Sequence, residues 1–219
     1  VDLWEYVEER GCSLSEFGER LCERVRLEDP APCLLGYSMG GRLALHALLA
    51  EPSLWRAAVI VSAHPGLEHE EDRIMRMAAD AQWAADSLTM NWDEFVRKWK
   101  AQPVLRESGE EGLGDRTMLK RRHRAVARGF VEWSLGKQDD LRGRMGEIGC
   151  PVLWVNGAED EKFCRLGVQA VSELMDGRQV IIPGAGHRVP WEAPGEFVGE
   201  VTGMLGRGQD SGEGRGELG

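Results

Sequence analysis

The sequence predicts an α/β fold: a mostly parallel sheet with helices on both faces and one helical insertion. Three observations carry that expectation. Short apolar runs of strand length recur along the chain, each bounded by turn residues. Stretches of helical period alternate with them, the arrangement that builds crossover units and buries a parallel sheet on both faces. Between Glu68 and about Leu141 the alternation stops, and only helical patterns are found.

Taken in order, SLSEFGERLCERV opens with Ser13 and Glu16 at capping-box spacing. It sets Leu14, Phe17, Leu21 and Val25 on one helical face. PCLLGY follows as a buried-strand candidate, and a helix is expected from about Met39 to Ala50, with Pro52 helping to end it. AAVIVS (57–62), PVLWVN (151–156) and RQVIIP (178–183) are the further strand candidates, and Pro194 starts a last helix. EDRIMRMAADAQWAADSL and NWDEFVRKWKAQ read as helices of the insertion, a cap over the strand ends where such sheets bind ligands. The expected division is core over 1–67, cap or lid over 68–141, core again over 142–205, and a disordered tail over 206–219, in which Leu218 is the one apolar residue.

Composition narrows the function classes. With 219 residues and 42% hydrophobic residues, the chain can bury one sizeable core. A net charge of −10 argues against a general nucleic-acid or acidic-membrane binder, so any anion site must be local. Five cysteines without a C-x-x-C pair or ligand-spaced histidines point to neither a disulfide framework nor a metal site. A reducing cytoplasm is the expected compartment. No run approaches the roughly 18 apolar residues of a membrane span.

The chemistry concentrates at GYSMG (36–40). It fits G-x-S-x-G, a strained strand-to-helix turn that lifts Ser38 Oγ above the sheet and is expected to need small residues at both glycines. The helix N-terminus beginning there, with the Met39 backbone N–H, can stabilise negative charge. A serine nucleophile needs a base and the base an orienting carboxylate, in the chain order serine, acid, histidine. GAEDEKF puts Asp160 just past one strand candidate, with Glu159 the weaker alternative, and GAGHRVPWEAP puts His187 past the next. The bland alternatives are an ordinary glycine turn, a loop cap and a surface histidine.

GYSMGGR, HPGLEHEEDRIMRMAADAQWA, KWKAQPV and GAEDEKF together resemble the α/β-hydrolase superfamily, and within it the 2-succinyl-6-hydroxy-2,4-cyclohexadiene-1-carboxylate synthases of menaquinone biosynthesis. The resemblance implies an α/β-hydrolase fold and a pyruvate-eliminating lyase without metal or organic cofactor. It implies a catalytic triad of Ser38, Asp160 and His187 acting as base on 2-succinyl-5-enolpyruvyl-6-hydroxy-3-cyclohexene-1-carboxylate. Arg42, one helical turn after Ser38, and Arg76 on the first cap helix would bind substrate carboxylates, together with Arg121 or Arg122 in LKRRHR, two positions that the resemblance does not separate. Tyr37, Met39 and Trp99 would line the same site. Each arginine also has a plainer reading as a solvated surface charge, and Trp99, spaced with Trp92 and Phe95, as core.

Two other functions remain open from the sequence. One is a carboxylesterase or carbon–carbon bond hydrolase using the same triad. The other is a non-catalytic binding protein or pseudoenzyme. The resemblance also places the superfamily's first strands and a His-Gly oxyanion loop ahead of Val1, so an N-terminally incomplete chain is expected, with PCLLGY at an open sheet edge.

Overall fold

The computed structural model describes residues 1–8, 10–102, 105 and 117–210. A short helix α1 (Glu5–Glu8) leads to α2 (Leu14–Arg26), which starts as its sequence requires. Ser13 Oγ accepts from the Glu16 N–H at 3.2 Å, and Glu16 Oε2 accepts from the Ser13 N–H at 2.8 Å. Two donors that a helix start leaves orphaned are thereby satisfied. The apolar stripe of α2 buries Leu14, Phe17 and Leu21.

Among the described residues, four parallel strands follow in the spatial order β1 (Cys33–Tyr37), β2 (Ala57–Val61), β3 (Val152–Gly157) and β4 (Gly177–Ile182). In register, Gly36 faces Ile60, Ile60 faces Trp154, and Trp154 faces Gln179. The two inner strands are buried at every position, which is why AAVIV and VLWV read as unbroken apolar runs and not as alternations. Among the described residues β1 is an outer strand, and Leu35 on it is half exposed.

Helices cover both faces. On one, α2, α3 (Met39–Ala50) and α8 (Glu161–Ser172) pack Phe17, Leu45, Leu48 and Ala170 with Ile60 and Trp154 of the sheet. On the other, α10 (Pro194–Asp210) brings Phe197 against Val59, Val61, Leu153 and Val155. The last helix runs five residues into the stretch expected to be a disordered tail, so 206–210 are helical, while 211–219 lie outside the described residues.

Between β2 and β3 come α4 (Glu70–Thr89), α5 (Trp92–Lys100), α6 (Thr117–Lys120) and α7 (His123–Glu132), with two 3₁₀ turns, Leu135–Lys137 and Arg142–Glu147. These helices carry a separate small core of Trp92, Phe95 and Val126. A further helical turn, α9 (Val189–Glu192), precedes α10. Among the described residues no helix is long and apolar enough to cross a membrane.

Candidate active site

The turn from β1 into α3 holds Ser38 at φ 51°, ψ −112°, a left-handed backbone for a residue with a side chain. Such a conformation costs of order 1–3 kcal/mol and persists only where the surroundings enforce it. Here the Ser38 N–H donates to the Val61 carbonyl at 2.8 Å, and the Arg42 N–H donates to the Ser38 carbonyl at 3.1 Å. The turn is tight at Gly36, where a Cβ would stand 2.5 Å from the Gly40 carbonyl oxygen, and at Gly41, where it would stand 2.7 Å from the Ala63 Cβ. Gly40 has open space instead, so the second crowded glycine lies one residue beyond the one the motif suggests.

Ser38 occupies the N-cap position of α3, yet its side chain makes no capping hydrogen bond. It points across the strand ends to His187, whose Nε2 is 3.0 Å from Ser38 Oγ and whose Nδ1 is 2.6 Å from Asp160 Oδ2. A carboxylate can only accept, so the proton sits on Nδ1 and Nε2 is left to accept from the hydroxyl. Asp160 also caps α8, its Oδ1 accepting from the Phe163 N–H at 3.4 Å. Glu159, the alternative acid, is exposed. The imidazole is buried between the Phe163 ring, 4.5 Å away between centroids, and the Tyr37 ring, 5.6 Å away. Trp191 stacks edge-on to Tyr37 at 5.0 Å.

Arg42, one turn into α3, is buried. Its guanidinium donates to the Trp133 carbonyl at 2.7 Å and to Gln138 Oε1 at 3.2 Å, two neutral partners. Burial, then the neighbouring Arg76 charge, pull its pKa down to about 10, with Asp80 opposing, and it stays cationic at neutral pH. Arg76 on α4 donates from Nε to buried Asp80 at 2.8 Å. Arg42 and Arg76 are thus close enough for their charges to act on each other, and the buried Asp80 carboxylate acts on both.

Met39, the first residue of α3, keeps its backbone beside Ser38 while its side chain packs partly buried against the main core. Other expected residues have partners elsewhere. Trp99 packs with Trp83 and Phe130, each 5.1 Å away, in the aromatic cluster of the insertion. Arg121 is exposed. Arg122 binds Asp2 and Glu8, each at 2.5 Å, which ties α7 to the start of the chain. A cavity of about 340 Å³ lies elsewhere, between Ser13, His46, Arg73, Met77, Glu132 and Lys137, and none of Ser38, Asp160 and His187 is among its walls.

The sequence reading missed Phe163, Trp191, Ser134 and Gln138. Phe163 and Trp191 stand near Asp160 and His187 in sequence, but nothing in their spacing shows which way a ring turns. Gln138 lies in an irregular stretch that carries no periodic signal.

A four-stranded parallel sheet with a serine at a strained strand-to-helix turn and a histidine and carboxylate on later strand ends defines a hydrolase-type α/β architecture. The model of the alpha/beta hydrolase family matches residues 7–200, and the chain belongs to that family. A Bacillus subtilis (strain 168) protein provisionally named a 2-succinyl-6-hydroxy-2,4-cyclohexadiene-1-carboxylate synthase is 33% identical over 177 residues, covering 76% of this chain and 64% of that protein. An Escherichia coli O1:K1 / APEC protein named as the same synthase is 28% identical over 174 residues, covering 78% of this chain and 67% of its own length. The chain therefore spans about two thirds of the relatives it matches. Among solved structures, MenH from S. aureus superposes with a TM-score of 0.82 at 22% identity, covering 92% of this chain and 78% of that one.

Proposed function

We propose that this chain is a pyruvate-eliminating lyase of the kind its relatives are named for, acting on 2-succinyl-5-enolpyruvyl-6-hydroxy-3-cyclohexene-1-carboxylate. The observation that carries the proposal is the hydrogen-bonded series Ser38–His187–Asp160 with the buried Arg42 cation on the same helix as the serine. In this reading Ser38 Oγ, its proton taken by His187 Nε2, removes a proton from the substrate ring. The C–H electrons form a ring double bond, the existing ring double bond shifts one position along, and the C–O bond to the enolpyruvyl group breaks, which leaves a conjugated diene. The enolpyruvate that leaves tautomerises to pyruvate. Asp160 holds the imidazole and stabilises its cation. Arg42 and Arg76 bind carboxylates, since guanidinium pairs with them bidentately. Tyr37 lines the site beside His187. A cytoplasmic place of action and a small polycarboxylate as partner go with this reading.

An esterase or carbon–carbon bond hydrolase is the second reading, favoured by the position of Ser38 at the N-terminus of α3 with no capping bond on its side chain, which suits acyl-enzyme formation. The experiment measures pyruvate release and neutral-ester hydrolysis side by side. Ser38→Ala and His187→Ala should each cut pyruvate release by about 10³-fold or more, and the double change should add little, as groups acting as one unit do. Arg42→Gln should cost about 10²-fold with the polycarboxylate and little with the ester. Equal losses on both substrates would make Arg42 structural, and near-normal release in Ser38→Ala would sink the mechanism.

A further inference from the structure

Arg42 and Arg76 stand on different elements, α3 of the core and α4 of the insertion, so chain connectivity does not set their separation. A single turn, residues 133–138, touches Arg42 directly and reaches Arg76 through Asp80. On the core side, the Trp133 carbonyl and Gln138 Oε1 accept from the Arg42 guanidinium at 2.7 and 3.2 Å, and the Gln138 amide donates back to the His64 carbonyl at 3.0 Å. Gln138 is fully buried, so its amide keeps one orientation because the alternative leaves polar atoms unpaired. On the insertion side, Ser134 Oγ donates to Asp80 Oδ2 at 2.7 Å, the same oxygen that accepts from Arg76 Nε. The turn also rests backbone to backbone on α4. Arg73 Nε donates to the Gly136 carbonyl at 3.1 Å, and a Cβ at Gly136 would stand 2.3 Å from the Arg73 carbonyl oxygen.

We propose that residues 133–138 set the spacing between Arg42 and Arg76, with Gln138 and Ser134 as positioning residues, so that the site selects diacids by the distance between their carboxylates. This rests on the reading of the two arginines as carboxylate ligands. The choice of partners suits the task. Arg42 is held by neutral oxygens, which fix its place and leave its charge for a ligand. Arg76 is held through Nε by Asp80, which offsets one of two like charges and lets the pair approach without a bound anion.

The test is calorimetric binding of malonate, succinate, glutarate and adipate to the full chain, with butyrate as the monocarboxylate. One diacid should bind about tenfold tighter than those a methylene shorter or longer, a difference of about 1.4 kcal/mol. Gln138→Met, which keeps the side chain's length and removes its two hydrogen bonds, should reduce that preference to about threefold or less. Gly136→Ala, which pushes the turn off α4, should move the preference to a longer diacid. If Gly136→Ala does not fold by circular dichroism, Gln138→Met decides alone. Folded variants with the parent's length preference overturn the spacing role. Arg42→Gln separates the two claims: undiminished diacid affinity there overturns the carboxylate reading itself. Lost affinity in Arg42→Gln, together with an unchanged preference in the turn variants, overturns only the spacing.

Discussion

Asp160 serves two partners with two oxygens, Oδ2 toward His187 and Oδ1 toward the first turn of α8. The two roles come apart under substitution. Asparagine caps a helix as well as aspartate does, but its amide group in place of the second oxygen no longer favours the Nδ1–H tautomer. Asp160→Asn should leave the melting temperature within about 2 °C of the parent, since the cap is kept, yet lower turnover by about 10³–10⁴-fold. Asp160→Ala should lower both, with about 1 kcal/mol of stability lost with the cap. Thermal melts and pyruvate-release rates on the two variants check this, and an active Asp160→Asn would remove the carboxylate from the chemistry. The arginines make the opposite point. Arg42 and Arg122 look alike in sequence, yet one is buried against neutral oxygens and the other sits between two carboxylates that raise its pKa. Charge and helical spacing do not reveal which partner a long side chain will reach, and only the fold supplies Asp2 and Glu8 to Arg122.

At the scale of elements, the sequence was most legible where a local rule and the burial pattern agree. The capping box of Ser13 and Glu16, the strand runs ending at Tyr37, Val61 and Ile182, and the helix from Met39 to Ala50 fall within a residue or two of their expected limits. Ser13→Ala should cost about 1 kcal/mol by loss of the cap, read as a shifted midpoint in urea unfolding with an unchanged slope; a changed slope would mean that the substitution alters more than one helix end. What stayed hidden has a common physical cause. The turns at 135–137 and 142–147 and the helix α9 owe their shape to contacts across the molecule, such as Leu141 N–H donating to the Pro65 carbonyl at 2.9 Å. The crowding at Gly41 is likewise a contact with Ala63 on another element, so the pentapeptide alone does not reveal it. The extension of α10 to Asp210 runs against a glycine-rich composition, where packing of Phe197 and Val201 anchors the helix upstream.

At the scale of the whole molecule, two buried histidines tie stability to pH. Burial, the leading cause in both, holds His46 down to about 4 and His64 to about 3, against 6.5 for an exposed imidazole. As pH falls, the unfolded chain takes up these protons first. The stability gained by keeping both rings neutral is therefore full above about pH 6.5 and is withdrawn as pH drops toward the folded values. The loss has a limiting slope of about 1.4 kcal/mol per pH unit for each ring. Melting temperatures between pH 7.5 and 5 should fall accordingly, and His46→Leu, which removes a ring whose Nε2 has no hydrogen-bond partner, should flatten the decline. Equal declines in variant and parent would assign the effect to other groups.

Ser38, Asp160 and His187 follow the ends of β1, β3 and β4, so the hydrogen-bonded series stretches across the sheet, from one outer strand to the other among the described residues. Its two links, 2.6 and 3.0 Å long, tolerate displacements of a few tenths of an ångström. The smallest error open to strand pairing is one residue, about 3.3 Å along the strand, and it turns every side chain of the slipped strand to the opposite face. Under the proposed mechanism a mispaired molecule is therefore silent rather than slow, and specific activity counts the fraction of chains whose strands aligned correctly.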